Sequence, residues 1–306
     1  MKKILITGGA GYKGTLLAEE LLKKNYQVTI LDNFMYGYDS VLGFIDHKNC
    51  TIIKKDIRNL QSADVKNYDV IFHLAGISGY PACEANPHSA EIINVHSTRK
   101  LTGFLSKNQV LVYASTTSFY GKSGAMKDEN SKPEPLSLYG ITKWEAEKIC
   151  MEHHNTVSLR FATIFGVSRR MRCDLLVNDF VYKALTERSL VLFDSKSIRT
   201  YLHIKDAVKA YLLVLEKPAK MLGQIFNVGS NSLNFSKLDL AQKIKKQIDF
   251  KIIDSDLDDF DKRNFIINYN KISALGFSYS VSVDDGISEL KKLFSFYRPF
   301  SLYQTI

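Results

Sequence analysis

Residues 3–33 read KILITGGAGYKGTLLAEELLKKNYQVTILDN. An apolar run, Ile4–Ile6, meets a cluster of glycines, and an amphipathic stretch from Thr15 to Lys24 follows before a second apolar run, Val28–Leu31. The order is strand, glycine turn, helix, strand. Outward from this unit the same grammar repeats. TIIKKD, DVIFHLAG, QVLVYAST and VSLRFATIFG are further strand candidates, with helical patterns between them, the clearest from Ser89 to Ser106. Strands that are apolar on nearly every residue are buried on both faces, as in a parallel sheet covered by helices. Repeated βα units of this kind predict the α/β class, with a doubly wound parallel sheet.

The pattern changes after Gly166, where an Arg-rich segment leads into the helical run LLVNDFVYKAL. We therefore expect a nucleotide-binding domain over 1–165 and a smaller C-terminal α/β substrate lobe over 166–306. The stretch 199–229, which reads as one more helix and strand, is expected to return to the large sheet. No internal repeat, low-complexity tract or long linker interrupts the chain.

Composition narrows the classes. With 306 residues, 45% hydrophobic and 24% charged, the chain has ordinary globular make-up and length enough for a sizeable core. The lysines before ILI imitate a secretory leader, but glycines break the apolar run too early for one. No stretch approaches the roughly 20 apolar residues that span a bilayer, so no membrane partner is expected and the reading is cytoplasmic. Cys50, Cys83, Cys150 and Cys173 lack metal-ligand spacing, and no metal is expected. The net charge of +9 is spread over many surface lysines. It reads as a solvated surface or a basic cleft for an anionic substrate rather than a nucleic-acid site.

The glycine turn points to a ligand. Gly8, Gly11 and Gly14 lie after a strand and at the mouth of a helix, where backbone amides can approach a pyrophosphate. Asp32 ends the next strand, placed to accept from the adenosine ribose hydroxyls, and no Arg or Lys follows in DNFMYGYD, which favours NAD over NADP. Farther on, Tyr139 and Lys143 stand four apart in SLYGITKWEAE, on one face of a helix. An ammonium one turn from a phenol stabilises its phenolate.

These motifs, taken in order with HLAG, INVHST, YASTTSFYG, LRFATIFG, RTYLHIKD, FNVGS and DKRNF, resemble the extended short-chain dehydrogenase/reductases, in their nucleotide-sugar epimerase/dehydratase branch. The resemblance runs nearly end to end. It implies a Rossmann-type fold, NAD as cofactor, a nucleotide-diphosphate sugar as substrate and a homodimer. By position it implies Tyr139 as acid/base, Lys143 as its partner on the nicotinamide ribose, and Thr116 as the hydroxyl that polarises the substrate oxygen, with Ser115 and Thr117 as rival positions. It places Tyr12, Lys13, Asn33, Asp56, Ile57, Leu74, Ala75 and Gly76 along the cofactor, with Asn94 as a brace. It assigns Asn178, Arg199 and Arg263 to the nucleotide diphosphate. His73 reads as packing, and Cys83 as a small buried residue.

The reaction turns on the two residues after Thr116. The branch's 4,6-dehydratases carry an Asp-Glu pair there; this chain has Thr117 and Ser118, and relatives that epimerise at C3 and C5 have cysteine where Ser118 stands. The chemistry left is oxidation and reduction at C4, foremost a 4-epimerase. A 4-dehydrogenase or 4-ketoreductase is the alternative; a non-catalytic dinucleotide sensor is a further one. Two departures from the branch stand out: Lys13, where an apolar residue is usual, and Thr163, where 4-epimerases often have asparagine. Arg169, Arg170 and Arg172 add charge at the start of the substrate lobe without an assigned role.

Overall fold

The computed structural model describes residues 1–257, 259 and 263–299. In chain order the first strands are β1 (Lys3–Thr7), β2 (Gln27–Asp32), β3 (Cys50–Lys54), β4 (Val70–His73), β5 (Val110–Thr116), β6 (Lys122–Lys127) and β7 (Thr156–Phe161). The later ones are β8 (Thr163–Phe165), β9 (Ser189–Phe193), β10 (Ile198–His203), β11 (Gln224–Val228), β12 (Asn234–Ser236), β13 (Lys251–Ser255) and β14 (Asn264–Ile267). Seven of them form one sheet in the order β11-β7-β5-β4-β1-β2-β3, every neighbouring pair parallel.

Alternation along β1 shows why the strands read as continuously apolar. Ile4 and Ile6 join a core with Leu17 and Leu21 of the helix Tyr12–Lys23 and Val208 and Tyr211 of the helix Ile204–Glu216. Leu5 faces the other way, into a second core with Ile71, Leu111, Ala146 and Cys150. Both faces are covered, so neither can be polar. This is the doubly wound architecture that the sequence predicts.

The smaller lobe holds a three-stranded sheet, β12-β10-β8, and two parallel pairs, β13-β9 and β14-β6. The lobes exchange segments. β6, inside the expected 1–165 domain, pairs with β14. Of 199–229, β11 becomes the edge of the large sheet and the helix Ile204–Glu216 packs on it, whereas β10 stays in the small sheet beside β8 and β12.

The single helix expected over Ser89 to Ser106 is three consecutive pieces: α-helical Pro87–Glu91, a π-helical turn Ile92–His96, and α-helical Ser97–Gly103. Ser97 Oγ donates to the Ile92 carbonyl at 3.1 Å and Thr98 Oγ1 to the Asn94 carbonyl at 2.7 Å, which supports the widened turn. The helix Leu138–Met151 starts at Ser137, whose hydroxyl accepts from the Gly140 amide at 3.2 Å.

Candidate active site

A cleft runs across the carboxyl ends of β1, β2, β4, β5 and β7, the place where open parallel sheets bind ligands. Its nucleotide wall begins at the glycine turn. Gly8 has φ of 70°, and a Cβ there would stand 2.6 Å from the Ala75 amide nitrogen. A Cβ on Gly14 would meet the Gly8 carbonyl at 2.5 Å, so the helix enters the turn at a distance that only glycine permits. Gly8, Gly11, Tyr12, Lys13 and Gly14 all line the cleft.

Asp32 lies at the far end of this wall. Its Oδ2 accepts from the Ala10 amide at 3.0 Å and its Oδ1 from the Phe34 amide at 2.8 Å. Burial raises its pKa against the pull of those amides. Asn33, Asp56 and Ile57 border the same end. The Asp56 carboxylate is held by Arg58 Nε at 2.9 Å and Nη2 at 2.8 Å and by Asn33 Nδ2 at 3.3 Å, which keeps its pKa down at about 2. Leu74, Ala75 and Gly76 form the floor.

Two residues of the turn do more than make room. Tyr12 is buried, and its hydroxyl donates to the Gly166 carbonyl at 2.7 Å, tying the nucleotide turn to the start of the substrate lobe. The Lys13 ammonium lies 4.5 Å from the centre of the Phe161 ring. Burial, with Lys143 and Arg172 near, lowers its pKa to about 7. Lys13 thus brings to the cleft a cation whose charge burial makes harder to hold.

Tyr139 and Lys143 reach the cleft from the helix Leu138–Met151, and Thr116 from the end of β5. Lys143 is 8% exposed, with its ammonium 4.2 Å from the centre of the Tyr113 ring. Burial lowers its pKa to about 8. Behind this helix Glu147 receives Arg160 Nη2 at 2.6 Å and the Ser158 hydroxyl at 2.7 Å. A buried ion pair so fully hydrogen-bonded fixes the helix to β7. Thr116 Oγ1 donates to Ser118 Oγ at 2.9 Å and accepts from the Ser118 amide at 3.1 Å. Arg263 Nη1 donates to Ser118 Oγ, and Arg263 lines the cleft beside a serine the sequence reading set aside. Ser115 also borders the cleft, while Thr117 turns away to donate to the Phe161 carbonyl at 3.1 Å.

Three expected site residues are not brought to the cleft. Asn178 is fully buried; its Oδ1 accepts from the Gly166 amide at 3.0 Å and its Nδ2 donates to the Arg172 carbonyl at 2.8 Å. That commitment to backbone leaves it a structural clamp rather than a diphosphate ligand. Arg199 is 3% exposed within β10 and is not among the residues that line the cleft. Asn94 braces from behind: its side chain bonds the Ile77 amide at 2.8 Å, the Ile77 carbonyl at 3.0 Å and Thr142 Oγ1 at 3.1 Å. It thereby joins the loop after β4 to the catalytic helix.

His73 is bonded by Thr7 Oγ1 at 2.7 Å and Thr98 Oγ1 at 2.9 Å. Burial first, then Lys143, lowers its pKa to about 3, so it is neutral packing. Cys83 is buried, and burial pushes its thiol up to about 12. The sequence reading missed Arg170 and Arg172 as cleft residues, along with Tyr36 and the loop Ile77–Tyr80. The run of arginines was visible; the place it reaches was not. No cluster of His, Cys, Asp and Glu fit for a metal occurs among the described residues.

The residues present fit a dinucleotide. The turn admits no side chain at Gly8 or Gly14, and Asp32 with its amide-bound carboxylate stands where an adenosine ribose would end. A family model described as the NAD dependent epimerase/dehydratase family matches residues 4–229. A Bacillus subtilis protein named as an uncharacterized UDP-glucose epimerase, YtcB, is 33% identical over 246 residues, 74% of this chain and 76% of that one. A UDP-N-acetyl-alpha-D-glucosaminuronate decarboxylase of Bacillus cytotoxicus is 32% identical, with 75% of each chain covered. Among solved structures, the UDP-glucuronic acid 4-epimerase of Bacillus cereus, in complex with UDP-glucuronic acid and NAD, superimposes with a TM-score of 0.82. It is 27% identical and covers 96% of this chain and 99% of that one.

Proposed function

The chain belongs to the NAD-dependent epimerase/dehydratase family, enzymes of the extended short-chain dehydrogenase/reductase type, and from that premise we propose that it is a UDP-sugar 4-epimerase. One observation carries the reading. Tyr139, Lys143 and Thr116 line a cleft whose carboxylates, among the described lining residues, are Asp32 and Asp56, both at the adenosine end. The sugar end thus has an acid/base tyrosine and hydroxyls, but no carboxylate to eliminate water.

In this mechanism Tyr139 accepts the proton of the C4 hydroxyl as that carbon is oxidised, and the Thr116 hydroxyl turns from Ser118 Oγ to donate to the same oxygen. The Lys143 ammonium, one helical turn from Tyr139, favours the tyrosine's anionic form, and burial holds its own pKa below the usual lysine range. Tyr139 then returns the proton once the keto sugar has turned over. A bound NAD supplies the hydride acceptor and donor at C4. Epimerisation without net NADH separates this reading from a 4-dehydrogenase or 4-ketoreductase.

The sugar we favour is a uronic acid. Thr116, Ser118 and Thr163 bring hydroxyls and Arg263 a positive charge to the cleft that Tyr139 also lines, a setting suited to a carboxylate. Incubation with UDP-glucuronic acid and UDP-glucose, followed by product analysis by NMR, tests both statements. The C4 epimer of the uronic acid is the expected product; turnover of UDP-glucose alone would overturn the choice of sugar, and recovery of both sugars unchanged, with no change in bound-cofactor absorbance near 340 nm, would sink the C4 reading.

We also read the protein as a cytoplasmic homodimer. Leu136 and Ile141, 52% and 40% exposed beside and on the catalytic helix, support a paired helix face. Four free cysteines support a reducing compartment. Among the described residues no helix is long and apolar enough to cross a membrane. Light scattering of the purified chain checks the dimer.

A further inference from the structure

The segment carrying Arg169, Arg170 and Arg172 crosses from the substrate lobe to the nucleotide lobe, and two of its arginines have partners there. Arg169 Nε donates to Glu19 Oε2 at 2.9 Å, on the helix that follows the glycine turn. Arg172 Nη2 donates to the Ser78 carbonyl at 3.2 Å and to Asp174 Oδ2 at 2.5 Å. Arg170 differs. It is 7% exposed, its guanidinium carbon lies 4.0 Å from the centre of the Tyr36 ring, and it lines the cleft at the Asp32 end. Its Nη2 is buried without a hydrogen-bond partner among the described residues. A buried guanidinium nitrogen without an acceptor is costly, more so than a neutral donor.

We propose that Arg170 is a binding residue for a phosphate group of the dinucleotide, reaching it from the opposite lobe while Tyr36 supports the face of its guanidinium. This rests on the reading of the cleft as a dinucleotide site. A planar fork stacked on an aromatic ring keeps its N–H groups in plane and available, the geometry in which arginine recognises phosphate. The stretch DNFMYGYD at the end of β2 contains no cation that could meet a phosphate, and the fold supplies one from Arg170. Two phosphates could be the acceptor: the pyrophosphate, present in NAD and NADP, or the 2′-phosphate, present in NADP alone.

The test is calorimetric titration of NAD and of NADP, at one fixed salt concentration, into the full chain freed of bound nucleotide and into its Arg170→Met variant. We expect the variant to bind about 10- to 100-fold more weakly, as for loss of a charge-assisted hydrogen bond. An equal loss for both nucleotides identifies the pyrophosphate; a loss confined to NADP identifies the 2′-phosphate. Affinities within twofold of the parent for both nucleotides overturn the inference alone. A parent chain that binds neither nucleotide overturns the reading of the cleft as well. If Arg170→Met does not fold, Arg170→Lys keeps the charge and loses the fork, and an unchanged affinity for both in that variant also overturns it.

Discussion

Along the wall made by β1, β2 and β4 the cleft is bounded by backbone: the glycine turn, the carbonyl ends of strands, and a carboxylate at Asp32 held by two main-chain amides. Across from it, the wall made by Thr163, Arg170, Arg172 and Arg263 is bounded by side chains from segments far apart in sequence. The first wall is set by the packing of the sheet and tolerates almost no added atoms. The second is set by charged side chains that can be exchanged without moving the main chain. A family that keeps one cofactor and varies its sugar needs this division.

The comparison can be broken most sharply where the walls meet. Tyr139→Phe is expected to lower turnover by about a thousandfold, within the range for loss of a general acid/base, while NAD binding persists. Product formation and cofactor fluorescence measure the two separately, and loss of both together would mean that the tyrosine belongs to the nucleotide wall. Next comes Gly8→Ala. With φ at 70° and the Ala75 nitrogen in the way, it is expected to cost on the order of 1–3 kcal/mol in stability and to abolish the rise in Tm that NAD gives the parent.

On the other wall, Ser118→Ala removes the acceptor shared by Thr116 and Arg263. It should raise KM for the nucleotide sugar by roughly tenfold with unchanged affinity for NAD; a change in NAD affinity instead would break the division. Asn178→Ala should cost about 1–3 kcal/mol of stability with KM unchanged, because its bonds go to Gly166 and Arg172 backbone. A raised KM would return Asn178 to the substrate.

The smallest effect concerns Lys13. Its folded-state pKa is lowered, to about 7, so the ammonium is present below that pH and lost above it. Anionic ligands of the cleft should therefore bind somewhat more tightly at pH 6 than at pH 8, and Lys13→Met should flatten that slope.

The legible parts of the site were local. Gly8, Gly11 and Gly14 in one turn, Tyr139 and Lys143 on one helix face, and Asp32 at a strand end each carry their geometry in spacing alone. Thr116 was legible through its neighbours in YASTTSFYG. Arg170 was not, since nothing in RRMR tells which lobe an arginine will touch. Asn178 and Arg199, outside the cleft lining, show a related point: a polar side chain near a site by resemblance can equally satisfy buried main chain. The large sheet was read correctly because period and composition specify strands buried on two faces. The exchange of β6 and β10 into the small lobe depends on long-range pairing, which no local pattern encodes.

The place of β11 has a consequence for synthesis. It is the outermost strand, beside β7, yet lies beyond the whole first part of the substrate lobe. Until Val228 has left the ribosome, β7 presents an open parallel edge, apolar on the face of Val157, Leu159 and Phe161 and able to recruit a strand from another nascent chain. A chain stopped near residue 165 should therefore aggregate rather than fold as a free-standing domain, however complete its catalytic motifs.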